Sequence, residues 1–329
     1  MDEFDLIKQF FTPAGDDSSV LVGVGDDGAV LVPDAGRELV VVADTQIQSV
    51  HFPEDAATAS IADDLRFSPA DIGYRAVVIN LSDIAAMAAR PRWMTLALTL
   101  ETVDEAWLRE FANGISAAAS EYGVVLVGGD TTGGRQLSMT VSIIGDVERG
   151  VVLTRTGAAA GDDIYVSGSI GDAAAALNLR GEPGVDQQAL RQVHQRFTRP
   201  TARVALGQAL GSLASAAIDL SDGLYADCAK LLRSSGRGGE LTINSIPVSE
   251  ACCILLGNTA AQERALGGGD DYELCFTARP GNATAIEEVA QSVGVPLTRV
   301  GVVTDGSELI CQQNGERFEY DAAGYLHFG

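Results

Sequence analysis

The sequence predicts an α/β (α+β) protein of two domains, and three observations predict it. Short runs rich in Val, Leu and Ile, bounded by Gly, Pro or Asp, alternate with segments of helical spacing through the first half. Near residue 150 the pattern restarts behind a Gly/Ala-rich connection. The 329 residues also exceed one compact domain, for which roughly 100 to 200 residues is usual. The expected domains are 1–149 and 150–329.

In the first half, strands are expected over 20–24, 29–32, 39–43, 76–81, 94–100, 124–127 and 137–144. Helices are expected over 82–89 and 104–122, the second with Trp107, Leu108, Phe111 and Ile115 on one face. The second half opens with a strand at 163–167, a glycine-containing turn at 168–172 and an Ala-rich helix. A helical region over 187–213, a strand entering Asp219, strands at 240–243, 273–277 and 299–303, and a helix at 283–293 follow. Residues 78–83 echo 217–222, each reading as a strand that enters a helix, with serine able to cap the helix and the next carboxylate favoured by its dipole.

Composition narrows the function. A 46% hydrophobic content supplies buried cores and excludes a disordered chain. No apolar stretch approaches the roughly 18 residues of a membrane span, and Met1-Asp2-Glu3-Phe4-Asp5 lacks the basic start of a signal peptide, so a soluble cytoplasmic protein is expected. Five cysteines form no C-x-x-C pair and only three histidines accompany them, which argues against zinc and fits a reducing compartment. A net charge of -23 argues against nucleic acid, whose phosphates need a basic partner surface.

Six stretches end a hydrophobic run in aspartate beside Gly, Ser or Thr: 25–27, 44–45, 82–83, 129–131, 219–222 and 269–271. Carboxylates brought together at strand ends repel one another and any phosphate unless divalent cations supply the missing charge. Oxygen-only ligands suit Mg2+ or Mn2+. The stretch Gly23-Val24-Gly25-Asp26-Asp27-Gly28 matches the dinucleotide fingerprint in form. It is rejected, because 29–32 is strand-like where that fold needs a helix and because paired aspartates repel a pyrophosphate. The only lysines, Lys8 and Lys230, adjoin no glycine loop, which excludes a P-loop phosphotransferase. Metals and an arginine must then supply positive charge, and Arg155 is the expected arginine. The 168–172 turn can seat a phosphate on a helix N-terminus or be a plain turn.

At these residues the chain resembles the thiamine-monophosphate kinases, of the superfamily that includes aminoimidazole ribonucleotide synthetase, selenophosphate synthetase and the hydrogenase-maturation dehydratase. The resemblance is carried by Gly25-Asp26-Asp27, Asp44-Thr45 with His51-Phe52, Asn80-Leu81-Ser82-Asp83, Gly128-Gly129-Asp130-Thr131-Thr132, Leu153-Thr154-Arg155, Asp219-Leu220-Ser221-Asp222-Gly223 and Gly269-Asp270-Asp271-Tyr272-Glu273, with Gly324-Tyr325-Leu326-His327-Phe328 near the end. It implies an aminoimidazole ribonucleotide synthetase-like fold, a homodimer pairing its N-terminal sheets, and ATP with several Mg2+ ions in a cleft between the two domains. It also implies transfer of the γ-phosphoryl group of ATP onto thiamine monophosphate. By resemblance Asp27, Asp44, Asp83, Asp130, Asp219 and Asp222 are metal ligands, with Asp83, Asp130 and Asp222 catalytic. Gly129, Asp130, Arg155 and Ser221 would touch ATP, and His51, Asp270 and the position of Ala322 would face the acceptor. A phosphate monoester, with a second pKa of about 6, attacks without a general base.

The chain departs from that pattern in four places. Val42 and Ala43 stand where hydroxyl residues usually precede the Asp-Thr pair, and Asp270 replaces a glutamate that touches substrate. Ala322 replaces an aromatic that stacks on the thiamine ring, at a cost of about 1 kcal/mol of ring contact. The acidic segment 53–69 is longer than usual. These changes thin the acceptor half more than the ATP half. They leave open another ATP-using enzyme of the superfamily, or a catalytically silent nucleotide-binding homologue.

Overall fold

The structure, a computed structural model, describes residues 3–12, 17–54 and 61–320. Ala322 and the 324–328 motif lie outside them, as do residues 55–60 of the acidic segment. Two compact units emerge: Met1–Ile84 with Ala89–Gly150, and Ala85–Ala88 with Val151–Gly329.

The first unit runs α1 (Glu3–Phe10), β1 (Val20–Val22), β2 (Val30–Leu31), β3 (Arg37–Ile47), α2 (Pro69–Ala86), β4 (Arg90–Leu100), α3 (Glu105–Tyr122), β5 (Val125–Gly133) and β6 (Ser138–Glu148). Its main sheet has the order β3-β6-β4-β5, antiparallel except for the β4–β5 pair. Alternation along these strands buries Leu96, Leu98, Leu100, Met139, Val141 and Ile143 and leaves Leu39 and Val41 52% and 66% exposed on the other face. Helix α3 begins where the Asp104 side chain accepts the N–H groups of Ala106 and Trp107, and it ends at Gly123 in the left-handed conformation. Helices α2 and α3 touch through glycines: a Cβ on Gly73 would stand 2.2 Å from the Phe111 carbonyl oxygen, and one on Gly114 2.0 Å from that of Ala70.

Three sequence expectations change here. Residues 76–81 are helical, inside α2, and Asp83 sits in that helix instead of following a strand. Val77, Val78, Ile79 and Leu81 are all buried, so this helix has no polar stripe and its apolar run is indistinguishable from a buried strand. The resemblance of 78–83 to 217–222 is therefore one of sequence only. Asp44 and Asp130 lie within β3 and β5 instead of beyond their ends, because ladder pairing continues through Ala43, Thr45, Gly129 and Thr131.

The second unit contains β7 (Asp163–Ser167), α4 (Asp172–Leu179), α5 (Gln187–Thr198), α6 (Val204–Leu210), β8 (Ala214–Asp219), α7 (Leu224–Ser234), β9 (Gly238–Thr242), α8 (Glu250–Leu256), α9 (Asn258–Gly267), β10 (Leu274–Ala278), α10 (Ala283–Val293), β11 (Leu297–Thr304), β12 (Leu309–Gln313) and β13 (Glu316–Phe318). The sheet order is β13-β12-β9-β11-β7-β10-β8, with β12–β9 the one parallel pair. Mixed helices and sheets in two units agree with the expected fold class. The helical region 187–213 divides at Pro200, which removes a backbone donor and biases Arg199 away from helix. Among the described residues no helix is long and apolar enough to cross a membrane, and all five cysteines are free thiols.

Candidate active site

In the first unit, β1 and β2 form an antiparallel hairpin with Val20 opposite Leu31 and Val22 opposite Val30. Gly23 to Gly28 is thus a hairpin tip joining two strands, not a strand-to-helix turn, and Gly25 takes φ +114° there. Asp26 and Asp27 are exposed on the tip, where the Asp27 N–H donates to the Asp26 carboxylate at 2.8 Å. The tip and β5 share a cavity of about 640 Å³, lined by Gly25, Asp26, Asp27, Gly129 and Asp130, with Phe11 of the segment after α1 among its apolar wall residues. Three carboxylates from two distant parts of the sequence, those of Asp26, Asp27 and Asp130, are thereby brought to one cavity.

Asn80 links the strand of Asp44 to the helix of Asp83. Its side-chain oxygen accepts the Asp44 N–H at 2.9 Å while its amide donates to the Ala76 carbonyl at 3.0 Å. Asp83, three residues along α2, shares the helix face of Asn80. Two buried oxygens beside these residues make no hydrogen bond: Oγ of Ser82, and Oε1 of Gln46, two residues along β3 from Asp44. An orphaned buried acceptor costs about 1–3 kcal/mol unless a cation or donor reaches it. An oxygen-only donor set with vacant buried oxygens fits a hard divalent cation.

The ladder fixes how far apart these groups are. Asp44 pairs with Val141, Val141 with Leu96, and Leu96 with Gly129, so Asp44 and the Gly129-Asp130 pair lie at one level of the sheet, three strands apart. That is about 14 Å at about 4.8 Å per strand. One ion cannot reach both carboxylates. Among the described residues no three His, Cys, Asp or Glu side chains are gathered closely enough to hold a metal.

His51 follows β3 in a tight turn, where its Nδ1 accepts the Ile47 N–H at 3.0 Å. That bond assigns the ring proton of the neutral form to Nε2.

In the second unit, β8 delivers Asp219 to a loop stitched onto the glycine-rich segment before β10. Leu220 N–H donates to the Glu273 carbonyl at 2.8 Å, Tyr272 N–H to the Leu220 carbonyl at 2.9 Å, and Asp270 N–H to the Ser221 carbonyl at 3.0 Å. Ser221 and Asp270 are thus neighbours. Asp270 and Tyr272 both adopt positive φ, and the Tyr272 hydroxyl donates to the Asp270 carboxylate at 2.8 Å. The segment carrying Arg155 runs beside β8, since Ala217 N–H donates to the Thr154 carbonyl at 3.0 Å. The Ser235 hydroxyl donates to the Arg155 carbonyl at 3.1 Å, and the Arg155 residue is exposed.

At the 168–172 turn one N–H at the helix N-terminus is already engaged. The Gly171 N–H donates to the Asp271 carboxylate at 2.8 Å, which favours the plain-turn reading. Burial pushes the Asp271 carboxyl well up, with Asp172 adding to the shift against the hydrogen bond from Gly171.

Sequence reasoning passed over three groups that shape this region. One Asp227 oxygen accepts the N–H groups of Ser221, Asp222 and Gly223 at 3.0, 2.8 and 3.1 Å. Lys230 contacts the carboxylates of both Asp222 and Asp227. Fully buried Glu273 binds Arg196 at 2.7 Å and the Ser167 hydroxyl at 2.6 Å, and also pairs with Arg203. The signal available for Asp227 was its place one turn into an amphipathic helix, on the buried side; Lys230 and Glu273 depend on contacts distant in sequence or across turns.

Comparison with known proteins gives concordant matches. Residues 25–147 match the AIR synthase related protein N-terminal domain and residues 159–313 the corresponding C-terminal domain. The chain is 40% identical over 330 residues to the thiamine-monophosphate kinase of Salmonella typhimurium, covering 99% of this chain and 98% of that one. It is similar to the crystal structure of thiamine-monophosphate kinase from Stenotrophomonas maltophilia, with TM-score 0.82, 42% identity, and coverage of 91% and 92%. It is also similar to AaThiL complexed with AMPPCP and TMP, with TM-score 0.75, 29% identity, and coverage of 93% and 92%.

Proposed function

The chain belongs to the thiamine-monophosphate kinases of the AIR synthase related family, and from that premise we propose that it transfers the γ-phosphoryl group of ATP directly to the phosphate of thiamine monophosphate, yielding thiamine diphosphate and ADP. The observation that carries the reading is the cavity of about 640 Å³ in which Asp27, Gly129 and Asp130 converge. A relative sharing the fold over more than nine-tenths of both chains is complexed with an ATP analogue and TMP, which favours the kinase over a sister activity or a silent homologue.

Donor and acceptor are both anions, so the chemistry is positioning and charge compensation more than covalent catalysis. Mg2+ ions, when bound, neutralise the phosphates and stabilise charge on the transferring group. In this proposal Asp27, Asp44, Asp83, Asp130, Asp219 and Asp222 hold them, and the separation of Asp44 from Asp130 requires more than one ion. Gly129, Asp130, Arg155 and Ser221 bind ATP. Asp83, Asp130 and Asp222 act at the reacting phosphates. The acceptor oxygen is already ionised near neutral pH and attacks without a side-chain base. His51, whose neutral ring carries its proton on Nε2, and Asp270, held by Tyr272, are assigned to the acceptor.

Residues 1–149 are assigned to nucleotide, metal and dimer contacts, and 150–329 to completing the site. The exposed apolar face bearing Leu39 and Val41 supports pairing with a second copy. Function in the cytoplasm follows from a substrate set of soluble phosphorylated metabolites. Incubation with ATP, Mg2+ and thiamine monophosphate, followed by chromatographic detection of thiamine diphosphate, tests the assignment. Product that disappears on chelation supports it; ATP and metal in excess without product rejects it.

A further inference from the structure

The carboxylate of Asp222 does not stand alone at the start of α7. Lys230, two turns along the same helix, reaches back so that its Nζ touches Asp222 and lies 2.8 Å from Asp227 Oδ1. The other Asp227 oxygen gathers the three consecutive N–H groups of Ser221, Asp222 and Gly223. The whole loop is thereby organised around one buried carboxylate and one ammonium.

The placement of that ammonium is unusual electrostatically. The N-terminus of a helix carries the positive end of its dipole and disfavours a cation. Two carboxylates hold Lys230 there against that preference. The residue type matters as well. Of the 22 basic residues in the chain only two are lysines. An arginine fork would lock onto a carboxylate at two points, whereas an ammonium is a compact, rotatable point charge on a flexible stem and is readily displaced. Both partners remain accessible to solvent at this contact, with side-chain exposures of 38% for Lys230 and 28% for Asp222.

We propose that Lys230 is a built-in monovalent stand-in for a divalent cation: it compensates Asp222 while the metal position is empty, keeps the 219–223 loop in its working conformation, and yields Asp222 when the metal arrives. Lys230 is on this view a positioning residue whose exchange with the ion sets metal affinity. The proposal rests on the reading of Asp222 as a magnesium ligand. No atom or proton is transferred in the exchange; one Asp222 contact breaks and another forms, and Lys230 retains its contact with Asp227.

Direct metal binding tests it, with Mn2+ titrated into the full-length protein without nucleotide and followed by electron paramagnetic resonance. Removing a positive charge beside the ion, in Lys230→Met, tightens Mn2+ binding about three- to tenfold at low ionic strength. Lys230→Gln does the same, and Lys230→Arg retains wild-type affinity or weakens it. Adding Asp222→Asn to Lys230→Met abolishes the gain. A purely structural lysine would instead leave affinity unchanged or lower it on removal, and either result in a variant with an intact circular dichroism spectrum overturns the proposal. A gain that persists when Asp222→Asn is added overturns it equally. The readout is independent of turnover: wild-type protein that makes no thiamine diphosphate defeats the assigned reaction, whereas active wild type with unaltered Mn2+ affinity in Lys230→Met defeats only this inference.

Discussion

The side-chain oxygen of Asn80 accepts the backbone N–H of Asp44 at 2.9 Å, tying the edge strand β3 to the buried helix α2. Asn80 is fully buried and its amide is also satisfied, by Ala76, so it is fixed at both ends. Through it the strand that carries Asp44 is tied to the helix that carries Asp83.

Asn80→Ala therefore leaves the Asp44 N–H without its partner and opens a small cavity. A loss of about 1–3 kcal/mol is expected by urea unfolding, together with a higher Mg2+ concentration for half-maximal turnover. Stability and metal requirement should move together; an unaltered metal requirement would separate Asn80 from the site.

Asp83→Asn keeps the shape of its side chain and removes its charge. If, as proposed, the carboxylate compensates charge at the phosphates, turnover is expected to fall about 100-fold or more, a far larger effect than any change in melting temperature. Unchanged kcat would remove Asp83 from the catalytic set.

Gly129 is required by the backbone, whatever it contributes to ATP. Its φ is +152°, and a Cβ there would stand 1.8 Å from the carbonyl oxygen of Leu96 on β4. Gly129→Ala must push β4 and β5 apart, so a cost of about 2 kcal/mol or more is expected, read as a lower melting temperature or insolubility.

Asp271 gives a pH-dependent prediction. Burial raises its carboxyl well above the ordinary value of 3.8, so the folded protein holds a proton that the unfolded chain gives up. The stability from that proton is fully present below the unfolded pKa and is lost as pH rises through the folded one. Asp271→Asn retains an oxygen to accept the Gly171 N–H and carries no charge. Its melting temperature should exceed that of the wild type at pH 8, and the difference should shrink towards pH 4. A gap that is constant with pH would contradict the assignment.

Much of this was legible in the sequence because its signals are local. The strands on both sides of Gly23 to Gly28 followed from two short strand-like runs, and α3 followed from its face of Trp107, Leu108, Phe111 and Ile115. The aspartate stretches gave the candidate site, and two of them, at Asp27 and Asp130, meet at one cavity. What stayed hidden depends on burial and long-range contact. The α2 segment was misread because burial on all sides removes amphipathicity, and Asp44 and Asp130 were placed beyond strand ends because pairing partners decide where strands stop. The roles of Asp227 and Lys230 come from the path of the backbone around Gly223, and that of Glu273 from arginines at Arg196 and Arg203 that only the fold brings close.

The most direct test follows the phosphoryl group itself. With ATP labelled in the γ-phosphate, Mg2+ and thiamine monophosphate, the label should appear in the terminal phosphate of thiamine diphosphate in step with ADP formation. Label released only as inorganic phosphate, or retained in ATP under metal excess, would contradict direct transfer and the function assigned here.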